Sequence, residues 1–192
     1  MLKTLWIAPV VSLSLLPALS VPLAADEEGT SLQAQLNGFG QVPPVITRGM
    51  GKFQASINPD GTVTYTLRYS RLTGTGAVNF ADIHFGQEQV IGGIIVFLCS
   101  NVMIGGGVNV PPGTQTCPSG KGSGATLKGT IMADSIVGPA QQGINPGDLQ
   151  AALAAIRSGL VYGQVHTVAF TNGEIRGQIE REEDGDQDSV RR

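Results

Sequence analysis

Hydrophobic and polar residues alternate with a period of two along most of the chain. Leu32, Ala34 and Leu36 alternate with Gln33, Gln35 and Asn37, and Phe53, Ala55 and Ile57 with Lys52, Gln54 and Ser56. Val63, Tyr65, Leu67 and Tyr69 alternate with Thr62, Thr64, Thr66 and Arg68. Successive side chains of a strand point to opposite faces, so each segment predicts a β-strand with one wet face. Asn58-Pro59-Asp60-Gly61, between the second and third segments, predicts a turn: proline presets one φ and glycine accepts a positive one. Further strands are predicted at 81–86, 94–98, 125–132, 162–166 and 174–179. In the first of these, Ala81, Ile83 and Phe85 share one face and Asp82 and His84 the other, while 94–98 is wholly apolar and reads as covered on both faces. Thr171-Asn172-Gly173 predicts a tight hairpin turn before the last strand.

One segment changes period. Leu149, Leu153 and Ile156 fall on one helical face, with Asn145 as the expected cap, Pro146 in the first turn and Gly159 at a left-handed end. Residues 100–124 are rich in Gly, Pro and polar residues and read as a long loop. Together these elements predict an all-β fold, a Greek-key-like sandwich of about seven to nine strands with one short crossover helix.

The ends of the chain carry a different signal. Lys3, an apolar run over 5–19, and Ala24-Ala25 before Asp26-Glu27-Glu28 have the order of a secretory signal peptide, placed at 1–25. Pro17 and Pro22 interrupt the run, and spanning a bilayer takes roughly 20 apolar residues, so no membrane span is expected after cleavage. Residues 181–192 are almost all charged or polar and read as a disordered tail. A single domain over 30–180 is left, and its location is expected to be secreted or periplasmic. Cys99 and Cys117 are the only cysteines, and in an oxidising compartment they are expected to form a disulfide.

The formal net charge is −3 and the basic residues are scattered along the sequence, which argues against a nucleic-acid partner. Enzyme motifs are missing. There is no G-x-S-x-G elbow and no H-E-x-x-H, and Gly120-Lys121 lacks the Ser or Thr that a phosphate loop needs next.

Several segments, in order, resemble the CHRD domain family. They are Leu36-Asn37-Gly38 with Gln41-Val42-Pro43-Pro44, Asn58-Pro59-Asp60-Gly61-Thr62, Leu72-Thr73-Gly74 and Ala81-Asp82-Ile83-His84-Phe85-Gly86. Ala155-Ile156-Arg157-Ser158-Gly159, Val165-His166-Thr167 and Gly173-Glu174-Ile175-Arg176-Gly177-Gln178-Ile179 complete the set. The family pattern has a further His two residues before His84, where this chain has Asp82. The resemblance implies a secreted β-rich domain and brings no catalytic residue list. The expected function is a non-enzymatic extracellular binding or structural module, with an unknown extracellular protein or ligand as partner and no cofactor.

His84 and His166, the only histidines, leave a second reading open. They could form a copper or zinc site with Asp82 or Glu174 as a third ligand, since imidazole and carboxylate suit both metals. Against this, two histidines make a thin ligand set, and each could instead satisfy backbone groups at the base of a loop. His84 is expected under the link 86–93 or the disulfide loop, close to His166 or Glu174. Glu174 and Arg176, two apart on one strand, are expected to pair on a shared face.

Overall fold

The computed structural model describes residues 30–102 and 110–182, and within them every predicted strand forms. In chain order these are β1 Ser31–Asn37, β2 Met50–Ile57, β3 Val63–Ser70, β4 Val78–Phe85, β5 Gly93–Ser100, β6 Ala125–Ile131, β7 Val161–Thr167 and β8 Ile175–Gln178. A two-residue strand, β9 at Glu180–Arg181, pairs with β1 opposite Gln33 and Leu32. The expected tail therefore does not begin at residue 181. Ladder bonds are made by the backbone, so a charged segment can add to an edge without apolar side chains. The expected leader at 1–25 and the chain after 182 lie outside the described residues.

The fold is all-β with a single α-helix, as the alternation predicts. All pairings are antiparallel, and the strands run in the order β5-β4-β7-β8-β1-β2-β3-β6 as one sheet rolled nearly into a barrel. The two free edges, β5 and β6, approach each other. Tyr65 Oη reaches across this seam to donate to the Leu98 carbonyl at 3.0 Å. The inward residues of all layers meet in one core, with Phe53, Leu67, Tyr69, Ile83, Leu98, Ile131 and Ile175 fully buried.

The helix, α1, spans Leu149–Arg157 between β6 and β7 and buries Ala152, Leu153, Ala155 and Ile156. Its cap is Asp148, whose carboxylate accepts from Ala151 N at 2.9 Å, and not Asn145. Asn145 instead accepts from Asp148 N, closing a separate turn in which Gly147 sits at φ +81°. That left-handed residue cannot belong to a right-handed first turn, so the helix starts after it.

One part of the sheet is buried on both sides. On β4, β7 and β8 the residues that point away from the core are still inaccessible: Asp82, His84, Tyr162, Gln164, His166 and Arg176. Three connections lie over them, 38–48, 86–92 and 168–173. They are tied down by bonds from Arg176 Nη2 to the Gln87 and Val90 carbonyls, from Gln164 to Gln41, and from His166 to Thr171.

Cys99 and Cys117 are joined, and both are buried. The bridge closes a loop of sequence separation 18, which in the chain-entropy model stabilises the fold by about 3 kcal/mol. We expect thiol labelling of denatured, unreduced protein to find no free cysteine. Reduction should lower the urea midpoint by an amount matching that energy; two reactive thiols before reduction would contradict the linkage.

Candidate metal centre

Asp82 and His84 reach the covered face by parity alone, as alternate residues of β4 whose neighbours Ala81 and Ile83 enter the core. His166 joins them through strand pairing. β7 lies antiparallel to β4 with Phe80 opposite His166, Asp82 opposite Gln164 and His84 opposite Tyr162. Side chains of one parity on paired strands stand on one face, so both imidazoles flank Asp82.

The three side chains converge. His84 Nε2 lies 3.1 Å from Asp82 Oδ2, and His166 Nε2 lies 3.5 Å from Asp82 Oδ1. One donor atom from each residue falls within 4.8 Å of the other two. Asp82 is fully buried, and each histidine side chain is 9% exposed.

The other ring nitrogens decide what these atoms present. His84 Nδ1 lies 2.9 Å from the Gly92 carbonyl, and His166 Nδ1 lies 2.9 Å from the Thr171 carbonyl. A carbonyl oxygen only accepts, so each Nδ1 carries the proton and donates. In a neutral ring the Nε2 atom then holds a lone pair. Both lone pairs face a carboxylate that is itself an acceptor. Both Asp82 oxygens and both Nε2 atoms are buried without a hydrogen-bond partner. Four converging acceptor atoms with nothing to share are costly unless a proton or a cation sits among them.

Packing holds the rings in place. His84 stacks on Tyr162 at 4.7 Å between centroids and an interplanar angle of 3°, and His166 stacks on Phe80 at 4.0 Å. The Arg176 guanidinium lies 3.4 Å over the Tyr162 ring, and Tyr162 Oη accepts from Gly92 N at 3.1 Å. Gly92 is required sterically: a Cβ there would run into the Phe85 carbonyl. Gly173, at φ +114°, likewise leaves room for the Gln164 amide, which donates to Gln41 Oε1 and to the Asn172 carbonyl.

Of the expected site residues, the fold brings together Asp82, His84 and His166 and holds Glu174 apart. Glu174 is fully buried and accepts from Thr47 Oγ1, Thr73 N, Thr73 Oγ1 and Thr167 Oγ1 at 2.6–2.8 Å. Its bonding is complete within the protein. It does not pair with Arg176, which serves the 86–92 connection. The reason is that β8 begins at Ile175, so Glu174 precedes the strand and escapes its alternation. The link over His84 is 86–92 and not the disulfide loop. Tyr162 and Gln164 were open to the same parity argument that places His166, since all three are even positions of β7.

The charge balance follows from this geometry. Burial pushes the His84 imidazole toward its neutral form, but Asp82 more than offsets that and its pKa lies above the ordinary 6.5. Burial alone would raise Asp82; the two imidazoles hold it below 3.8. The raised His84 pKa contributes stability that is full below 6.5 and is lost as pH rises through the folded value. The depressed Asp82 pKa contributes stability present above 3.8 and lost as pH falls through its folded value. Metal-free protein should therefore resist urea best between about pH 4 and pH 6.5, weakening on both sides. The alkaline decline should shrink in His84→Ala. Urea titrations across this range test it, and an identical alkaline slope in the variant would remove His84 as its source.

Comparison with known proteins agrees with the ordered motifs. The chain matches no curated protein and no solved structure at a significant level. Residues 32–179 match the CHRD domain, a span that takes in all the strands from β2 to β8, nearly all of β1 and the whole converging site. The chain belongs to the CHRD domain family.

Proposed function

We propose that this CHRD domain is an exported binding module that holds one copper or zinc ion between Asp82, His84 and His166. The observation that carries the reading is the set of buried, unpartnered acceptor atoms aimed at one another from three side chains. Donors about 2.0–2.1 Å from a tetrahedral metal stand about 3.3 Å from each other. His84 Nε2 stands 3.1 Å from Asp82 Oδ2 and His166 Nε2 3.5 Å from Oδ1, each near that value, and one atom from each residue falls within 4.8 Å of the other two, so a small closing movement would seat an ion. The Nδ1–carbonyl bonds supply the outer support that metal-ligating histidines commonly have, fixing tautomer and ring orientation. By the general ordering of divalent ions, copper(II) would bind more tightly than zinc.

Three protein donors leave a tetrahedral ion one position for an outside ligand. The slight exposure of both histidines favours a small one, such as water or a single side chain of a partner. Export fits the disulfide, which persists in oxidising compartments, and fits the family. Among the described residues no helix is long and apolar enough to cross a membrane.

Protein stripped with chelator, mixed with copper(II) or zinc and desalted should retain about one ion per chain by elemental analysis. Metal at a hundredfold over its Kd should stabilise the fold by about 2.7 kcal/mol. Asp82→Asn and His166→Ala should lose both effects. A parent protein that emerges metal-free and melts unchanged would overturn the proposal.

A further inference from the structure

The strand register gathers cations that the sequence scatters. Lys52 on β2 is the direct partner of Arg68 on β3, and both point away from the core. Arg48 and Arg71 extend the same surface. Arg48 and Arg71 line one depression and Lys52 and Arg68 another, and the two share Met50, Ser70 and Ser123, forming one groove.

Three features set this groove apart from an ordinary charged surface. First, like charges directly opposite on neighbouring strands are destabilising, and no ion pair among the described residues offsets them. Among the described residues, none of the four cations lies within ion-pair distance of a carboxylate; Arg68 reaches only the Gln54 amide, at 3.5 Å. Second, Arg71 sits at φ +56°, a left-handed conformation that a long side chain rarely adopts and that is retained where surrounding structure imposes it. Third, the register places the groove in the polar row Gln35-Lys52-Arg68-Thr126, which holds no acidic residue, while the next row, Gln33-Gln54-Thr66-Lys128, meets an acid only at its edge, where Glu180 of β9 stands opposite Gln33. Glu182 lines the neighbouring depression together with Gln54, Ser56, Thr64 and Thr66, so the acid-free part of the face is the groove of Arg48, Lys52, Arg68 and Arg71.

We propose that this groove binds an anionic polysaccharide, with Arg48, Lys52, Arg68 and Arg71 meeting its sulfate or carboxylate groups and the flanking Thr and Gln side chains meeting its hydroxyls. Guanidinium forks suit such oxyanions. A single-stranded nucleic acid would call for aromatic platforms on which bases stack, and the lining offers no exposed aromatic ring. A membrane surface would call for apolar residues to enter it, and Met50 is the only large exposed one in the groove.

The test uses dextran sulfate as probe, in chelator so that the metal site plays no part, with uncharged dextran as the blank. The parent should be retained on immobilised dextran sulfate at low salt and released as salt rises. Lys52→Gln/Arg68→Gln should bind about tenfold more weakly, the scale of two exposed ion contacts. Arg157→Glu removes the same net charge from the exposed end of α1 and should bind like the parent. Arg48→Gln/Arg71→Gln provides a second groove variant should the first melt abnormally. No retention of the parent, or equal weakening by Arg157→Glu, would overturn the proposal. So would equally tight, groove-dependent binding of single-stranded DNA or of phosphatidylserine vesicles, which would assign the surface to those partners instead.

Discussion

The constraint on which the structure turns is the burial of β4, β7 and β8 on both faces. One face meets the apolar core, as in any rolled sheet. The other is roofed by three connections and carries polar side chains that water cannot reach. Buried polar groups must find partners, and here almost every one does so through the roof itself. Arg176 holds 86–92, Gln164 holds 38–48, and Glu174 gathers Thr47, Thr73 and Thr167. The same bonds that satisfy the sheet therefore fold the connections down. Among the described residues single atoms of Gln41 and Gln178 also lack a partner, but the place where several unpartnered atoms converge is the meeting of Asp82 with the two Nε2 atoms.

That contrast distinguishes two kinds of buried carboxylate in one domain. Glu174 receives four hydrogen bonds from hydroxyl and amide donors and is complete. Asp82 faces two imidazoles whose protons are committed elsewhere, and it is incomplete unless something positive arrives. Both acids are fully buried, so burial alone does not separate structural from functional roles. The direction in which the neighbouring protons point does.

Much of the fold was legible in the sequence because its strands are amphipathic. Alternation located β1 to β3 and put Asp82 and His84 on the face opposite Ile83. Two things were harder to read. Which strands lie side by side is a long-range property, so the closeness of His166 to Asp82 rested on the β4–β7 pairing. The grouping of Lys52 with Arg68 depends in the same way on register, and scattered positions in sequence hid it. Local chemistry also misled at α1, where Asn145-Pro146 has the composition of a helix start but Gly147 diverts the backbone, leaving Asp148 to cap. At β9 the charged side chains concealed a segment whose backbone still pairs.

The hydrogen bonds that aim both imidazoles come from main-chain carbonyls, at Gly92 and Thr171, and not from side chains, which only stack on the rings. A carbonyl survives every amino-acid replacement. Apart from Gly92 and Gly173, where a Cβ would strike neighbouring atoms, the residues of these two connections can therefore change their chemistry widely, provided the path of the chain is kept, without disturbing how the rings point. An insertion or deletion there is a different matter, since it would shift the carbonyl itself. The site is thus buffered against substitution and exposed to changes in loop length, so variation among relatives should be far freer in the identity of these loop residues than in their number.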